Sequence, residues 1–280
     1  LILVIFFIIL TSTSVVLAET SPAQLEIRRV DQSSFPDNRF YFYAYNVNGN
    51  PVPGLTSADI AVYDDQVPVQ FSLAEKEAGV RVVFVIDAGI GITAKGATGL
   101  TRYAEMKEFI NSFVNRMGIN SSVMVLTDEN SNFRIISDFG TDPTKIKEQL
   151  DAYNPNPNDY SNGVDAVNKA ITELKNINDD KKEFIVLLTS GLEREVTSSM
   201  TLFKENLKNT DAPIVSAVLF RGDQGNWSNK LIEISTLARG EFLYYNLKTR
   251  DTLDTFFEHI FEWRNQYEVT YRMPNIASGT

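Results

Sequence analysis

The spacing of apolar residues along the chain changes at about residue 79. Before that point, the stretches "RFYFYAYNV" (39–47) and "DIAVYD" (59–64) are rich in aromatic and β-branched residues, which is typical of β-strands. Asn48 and Gly49 can close a hairpin between them, and "VPVQFSLAEKE" adds another strand. We therefore predict a small β module, of Ig-like type, over residues 19–79.

After residue 79, continuous apolar stretches alternate with stretches in which apolar residues recur every three or four positions. The continuous stretches predict strands at 81–87, 122–128, 133–137, 183–190, 213–220 and 241–245. The periodic stretches predict helices at 100–117, 144–152, 162–175, 200–208, 230–238 and 252–265. Because buried strands separated by helices form a sheet covered on both faces, we predict an α/β domain over residues 80–265, doubly wound around a mostly parallel sheet.

One more strand is predicted after this domain, in the stretch "QYEVTYRM". Residues 266–280, which contain it, are expected either to return to the β module or to start a further domain. We expect the natural protein to extend beyond both ends of the chain.

The first 18 residues have the composition of a targeting segment. Residues 1–10 are an apolar run, and Val16, Leu17 and Ala18 form the small-residue pattern of a signal-peptidase site. We predict a signal peptide at 1–18, with an uncleaved membrane anchor as the alternative. Either reading places the protein outside the cytoplasm, secreted or anchored at the cell surface. A tether would run through residues 1–18 or through a segment after Thr280.

Composition excludes several classes of function. The net charge of −10 argues against nucleic acid as a partner, because phosphate binding needs a basic face. The chain has no cysteine, which removes disulfides, thiolate nucleophiles and sulfur-ligated zinc. The single histidine, His259, lies in a strongly helical stretch and is expected on the helix surface. The chain therefore lacks the cysteine and the suitably placed histidine that a Ser-His-Asp or Cys-His arrangement needs for nucleophilic catalysis.

The first strand of the α/β domain carries the most informative local pattern. In "VVFVIDAGIGITA" (82–94), a buried strand ends in Asp87 and is followed by Gly89 and Gly91. One reading is a nucleotide- or small-molecule-binding α/β enzyme that uses the glycine turn. That reading needs an acid about 20 residues further on, whereas Asp128 lies about twice as far away. Asp87 would also bring a negative charge close to the pyrophosphate.

The other reading comes from a resemblance. The order of "VVFVIDAG", "FIVLLTSG" and "APIVSAVLF" resembles a von Willebrand factor type A (VWA) domain, and "VNGNPVPGLTSADIAVYDDQVPVQ" is similar to the β segment that precedes such domains in exported bacterial proteins. The resemblance covers about residues 47–271. It implies a Rossmann-like doubly wound fold and a divalent-cation site at the strand ends, whose open position takes a carboxylate from a partner protein.

This chain departs from the family pattern for that site. The family motif D-x-S-x-S falls on Asp87, Gly89 and Gly91, Ser161 falls at the family's threonine, and Ser190 stands where a second acid belongs. Magnesium takes near-octahedral oxygen ligation, and glycine has no side-chain oxygen. We therefore expect a degenerate adhesion site without a cofactor, binding Mg²⁺ or Ca²⁺ weakly at most. Asp87 is expected to accept backbone N–H bonds from the loops around Ser161 and Ser190.

A partner is expected on the face formed by the carboxyl ends of the strands. The loops there carry an exposed mixture of aromatic and charged residues that suits protein recognition better than catalysis. The predicted partner-binding residues are Asp87, Tyr160, Ser161, Ser190, Arg194 and Trp227. We predict a non-enzymatic adhesion or scaffolding module whose partner is a protein or another cell-surface macromolecule. A purely structural domain without a ligand on this face is a third reading.

Overall fold

The structure is a computed structural model. It describes residues 24–129, 132–156, 158, 160–177, 179–191, 197–209, 211–220, 227–246 and 250–273. The predicted targeting segment at 1–18 lies outside the described residues. Among the residues that are described, no helix is both long enough and apolar enough to cross a membrane.

The described residues form twelve strands and six α-helices. The strands are β1 (Gln24–Asp31), β2 (Asp37–Tyr45), β3 (Tyr63–Asp64), β4 (Val67–Pro68), β5 (Phe71–Glu77), β6 (Val80–Asp87), β7 (Ser122–Glu129), β8 (Asn132–Gly140), β9 (Lys182–Thr189), β10 (Ile214–Leu219), β11 (Arg239–Tyr244) and β12 (Asn265–Arg272). The helices are α1 (Arg102–Val114), α2 (Pro143–Ala152), α3 (Gly163–Lys175), α4 (Thr197–Asn206), α5 (Trp227–Leu237) and α6 (Arg250–Phe261).

The larger sheet has six strands in the order β11-β10-β9-β6-β7-β8. Its strand pairs are parallel except for β7 and β8, which run antiparallel at one edge. The predicted doubly wound, mostly parallel sheet flanked by helices is confirmed. This topology places the carboxyl ends of β6, β7, β9 and β10 at one edge of the domain.

Strand β6 lies at the centre of this sheet, and all eight of its residues are buried. Val82, Phe84 and Ile86 point to the face covered by α1 and α6, where Phe84 packs against the rings of Phe109 and Phe113. Val83 and Val85 belong to the core on the opposite face. Burial of each such side chain stabilises the fold by about 1.5–3 kcal/mol. The strand is therefore held from both sides, and its last residue, Asp87, is fixed in position.

The smaller sheet contains four strands in the order β1-β2-β12-β5. Strand β12 is antiparallel to both β2 and β5, so the chain returns to the β module after the α/β region. The strand predicted at 59–64 is reduced to the two residues of β3. The reason is that Val52, Leu55, Ile60 and Val62 pack as an irregular cover on the core of this sheet.

A turn forms at Asn48 and Gly49, but the expected hairpin does not, because β2 pairs with β1 and β12 whereas β3 pairs with β4. The N–H of Gly49 donates to the carbonyl of Asn46 at 2.9 Å, and Gly49 has a φ of 80°, which favours glycine. Tyr45 then forms an isolated antiparallel bridge with Pro51. His259 lies in α6 with its side chain half exposed and its Nδ1 2.5 Å from Glu241 Oε1.

The β module packs against the amino ends of the large sheet through a buried polar contact. Lys182 Nζ lies 2.6 Å from Glu26 Oε2, and the two side chains are 3% and 8% exposed. The ring of Tyr43 packs on Trp263, and its hydroxyl accepts a hydrogen bond from the Lys182 N–H at 3.1 Å. Burial alone would raise the pKa of Glu26, but the adjacent Lys182 and Arg28 hold it below its usual value.

Removing one partner of this buried pair should strongly destabilise the folded state. We expect Glu26→Ala to lower the free energy of unfolding by about 3–5 kcal/mol, because Lys182 would be left buried without its counter-charge. The control is Asp37→Ala, which breaks a pair with Arg272 whose side chains are 50% and 72% exposed and should cost less than about 1 kcal/mol. Urea unfolding measures both values, and equal losses would contradict the prediction.

A second prediction concerns pH. Burial raises the pKa of Glu183 to about 7 from 4.5. Because the folded state then holds the proton more tightly than the unfolded state, stability should fall as pH rises from about 4.5 to about 7, by up to about 3 kcal/mol. Glu183→Gln should remove this component of the pH dependence. The comparison is urea unfolding at pH 5 and pH 8, with exposed Glu205→Gln as control. An unchanged pH dependence in Glu183→Gln would refute it.

Candidate functional site

Asp87 ends the central strand at the carboxyl edge of the sheet, and its side chain is 2% exposed. The hydroxyl of Thr189, at the end of neighbouring β9, donates to Asp87 Oδ2 at 2.5 Å. The same hydroxyl accepts the N–H of Gly191 at 2.9 Å. This donor is a side chain at the end of β9, next to Ser190, and the expected backbone donors from the loops around Ser161 and Ser190 stay a prediction. Asp87 is thus tied directly to the end of β9.

A second buried carboxylate stands beside Asp87. Asp128 is its register partner on β7, and it is 1% exposed. Register partners on neighbouring parallel strands lie about 4.8 Å apart and point to the same face. The sequence suggests a role for Asp128 only as a ribose ligand in the dinucleotide reading. The available signal was that "VVFVID" and "VMVLTD" are both apolar runs that end in aspartate.

The start of α3 approaches this pair of strands. The backbone N–H of Asn162 donates to Asp128 Oδ2 at 2.8 Å, and the Asn162 side chain caps the helix by accepting from the Asp165 N–H. Ser161, one residue earlier, is 3% exposed, and its hydroxyl has no hydrogen-bond partner among the described residues. Ser161 therefore lies at the same end of the sheet as Asp87, as its position in the motif predicts.

The glycine turn brings two further groups together. A Cβ atom placed on Gly91 would lie 2.7 Å from Ser190 Oγ and 2.7 Å from Arg102 Nη1. Arg102 Nη1 also donates to the carbonyl of Gly91 at 3.1 Å. Ser190 itself is 4% exposed. The structure thus places Ser190 beside Gly91 and adds a guanidinium that we did not expect from the sequence.

The outer residues of the predicted partner face are less fully described. Tyr160 is 48% exposed in the loop before α3. Trp227 is the first residue of α5, and its side chain lies outside the described residues. Arg194 also lies outside the described residues. The role of these three residues in binding stays a prediction.

The strand ends carry fewer oxygen ligands than the family pattern supplies to a divalent cation. Gly89 and Gly91 supply no side-chain oxygen, and Ser190 supplies a neutral hydroxyl at the position of the family's second acid. In the described part of the chain, no three His, Cys, Asp or Glu side chains are grouped so that they could hold a metal. The guanidinium of Arg102 beside Gly91 adds a positive charge that a metal ion would have to approach.

The glycine turn also lacks the geometry of a dinucleotide site. A pyrophosphate is bound where the glycine turn leads straight into a long helix, whose N-terminal N–H groups face it. Here the turn enters a 3₁₀-helix of four residues, Ile90–Thr93, and α1 begins only at Arg102. The intervening loop is closed by a bridge between Lys95 and Thr101.

Comparison with known proteins identifies the fold. Residues 82–193 match the family model described as the von Willebrand factor type A domain. No curated protein matches the chain. Among solved structures, the chain is similar to BatB from Bacteroides thetaiotaomicron, with a TM-score of 0.55 and 14% identity over 65% of this chain and 97% of that one.

Two further solved structures share the fold. The PilB minor pilin from Streptococcus sanguinis has a TM-score of 0.52 and 13% identity, covering 86% of this chain and 78% of its own. Proximal thread matrix protein 1 from the mussel byssus has a TM-score of 0.51 and 18% identity, covering 70% of this chain and 49% of its own. The α/β region, in which residues 82–193 match that family model, therefore has the fold of the von Willebrand factor type A domain.

Proposed function

We propose that this protein is an exported, non-enzymatic module that binds another protein through the carboxyl edge of its VWA domain, without a resident metal ion. The observation that carries the proposal is the combination of an intact VWA fold with a donor set that has lost its hydroxyls at Gly89 and Gly91 and its second acid at Ser190. In this proposal the carboxyl edge of the sheet remains the binding surface, although it carries fewer cation ligands than the family pattern.

The similar structures support a binding role in assembly or adhesion. One is a minor pilin and another a matrix protein of the mussel byssus, and both share the fold with this chain. The pilin alignment covers 86% of this chain, a larger share than the α/β region alone can supply. For this chain, we assign the β module to residues 19–79 and 266–280, the VWA domain to 80–265 and the targeting segment to 1–18.

The carboxyl edge also suits contact better than turnover. Four polar side chains at this edge are nearly completely buried: Asp87, Asp128, Ser161 and Ser190. Their polar groups therefore act inside the domain, where they hold the loops in position. Tyr160, next to Ser161 on the loop before α3, is exposed. Aromatic side chains at an exposed loop edge are typical anchors of protein interfaces.

The alternative function is a nucleotide- or small-molecule-binding enzyme that uses the turn at Gly89 and Gly91. A thermal-shift screen separates the two proposals, because a ligand that binds the folded state raises its melting temperature by mass action. Stabilisation by a nucleotide, abolished by Gly91→Val, would favour the enzyme.

The metal-free proposal makes a direct prediction. Calorimetric titration of the whole chain with Mg²⁺, Mn²⁺ or Ca²⁺ should give no affinity tighter than about 1 mM. Asp128 Oδ2 already accepts the Asn162 N–H, so Asp87 and neutral hydroxyls would leave the ion mostly hydrated. EDTA should leave the melting temperature unchanged. A sub-millimolar dissociation constant for any of the three ions would refute this part of the proposal.

The binding proposal is tested by partner capture. Tyr160→Ala should weaken binding to a protein captured from the native cell envelope by about 1–3 kcal/mol, because an anchor residue would be lost from the contact. Trp227→Ala is expected to act in the same direction. The matched control is Tyr63→Ala in the β module, where the side chain is 63% exposed and far along the chain from the strand-end loops. Surface plasmon resonance measures the affinities, and equal binding by all variants would exclude this edge as the interface.

A further inference from the structure

Arg102 enters the strand-end site from the first position of α1. Its backbone is fixed from two sides: the Arg102 N–H donates to the Ala94 carbonyl at 2.9 Å, and the Thr101 side chain caps the helix by accepting from the Ala104 N–H. The base of the arginine side chain is therefore tied to the loop that follows β6.

A buried carboxylate holds that loop in shape. Glu105 is fully buried, and its Oε1 accepts the N–H and the hydroxyl of Thr98 at 2.6 and 2.7 Å. Gly96 lies directly against this carboxylate, because a Cβ placed on it would be 1.7 Å from Glu105 Oε2. The loop between Ala94 and Arg102 can therefore follow only a narrow range of paths, and these direct the arginine toward Gly91.

The guanidinium lies where a serine side chain of the family motif would be. Its Nη1 donates to the Gly91 carbonyl and lies 2.7 Å from the position of a Cβ on Gly91, closer than real Cβ contacts come. A serine at 91 would therefore require the end of the Arg102 side chain and the Ser190 hydroxyl to shift.

We propose that the Arg102 guanidinium is the permanent cation of this site and takes the place of the divalent ion. Arginine keeps its charge at all physiological pH values and donates in a planar fork, which suits carbonyl and hydroxyl oxygens around a strand end. This inference rests on the proposed metal-free function and identifies what replaces the metal. The site then needs no exchangeable ion, and Arg102 is a positioning residue for the strand-end loops.

The test reintroduces the metal ligands with and without the arginine. The triple variant G89S/G91S/S190D supplies the missing oxygens, and the quadruple variant adds R102M, which keeps the apolar stem and removes the charge. Calorimetric titration with Mn²⁺ should show the quadruple variant binding at least about tenfold more tightly than the triple variant. Equal affinities, or no detectable binding by either variant, would overturn the proposal.

A second measurement decides the question if the multiple variants do not fold. In the otherwise unchanged chain, R102M should lower the melting temperature, and about 10 mM guanidinium ion should restore part of the loss by filling the vacated position. R29M is the matched control, since the Arg29 side chain is 57% exposed on β1. Rescue confined to R102M supports the proposal, and equal or absent rescue overturns it.

The two proposals fail in different experiments. Sub-millimolar Mn²⁺ binding by the unchanged chain would refute the metal-free function and this inference together. Equal Mn²⁺ affinities of the triple and quadruple variants would refute the arginine's role alone, and would leave partner capture through Tyr160 unaffected.

Discussion

A carboxylate at the end of a completely buried strand is the constraint on which the site depends. Strand β6 is covered on both faces, so Asp87 cannot leave the edge of the sheet without disrupting the core around Phe84 and Ile86. A buried charge is costly unless hydrogen-bond donors surround it. The Thr189 hydroxyl from β9 donates to one oxygen of Asp87, and the Asn162 N–H donates to one oxygen of the neighbouring Asp128. The loops after three strands are thereby held together from below.

The nature of the positive charge at such a site decides what controls it. A divalent ion is exchangeable, so a site that needs one depends on ion concentration and can be emptied by a chelator. A guanidinium is covalently attached and is positioned by folding itself. With Arg102 in this role, the geometry of the strand-end loops would be set once, during folding, and would not vary with the ionic composition of the solvent.

Much of the fold could be predicted from the sequence, because burial on both faces gives strands such as β6 and β9 a continuous apolar pattern, and the helices carry a clear periodicity. The clustering of Asp87, Ser161 and Ser190 followed from the resemblance together with the rule that parallel strands end at one edge. Arg102 could not be predicted in the same way. Its direction depends on a loop whose path is set by the contact between Gly96 and Glu105, and such contacts leave no periodic signal. The irregular path at 59–62 was missed for a similar reason, since its apolar residues resemble a strand but are not part of one.

The position of β12 has a mechanical consequence. The chain leaves the smaller sheet after β5 and returns to it in β12, which lies between β2 and β5. The whole α/β region is therefore inserted between the neighbouring strands β5 and β12. Tension applied along the chain would pass from β1 through β2 to β12, across backbone hydrogen bonds loaded in shear. The α/β domain would lie outside this load path and would not be stretched. The carboxyl edge of its sheet would then keep its geometry while β1, β2 and β12 carry the force.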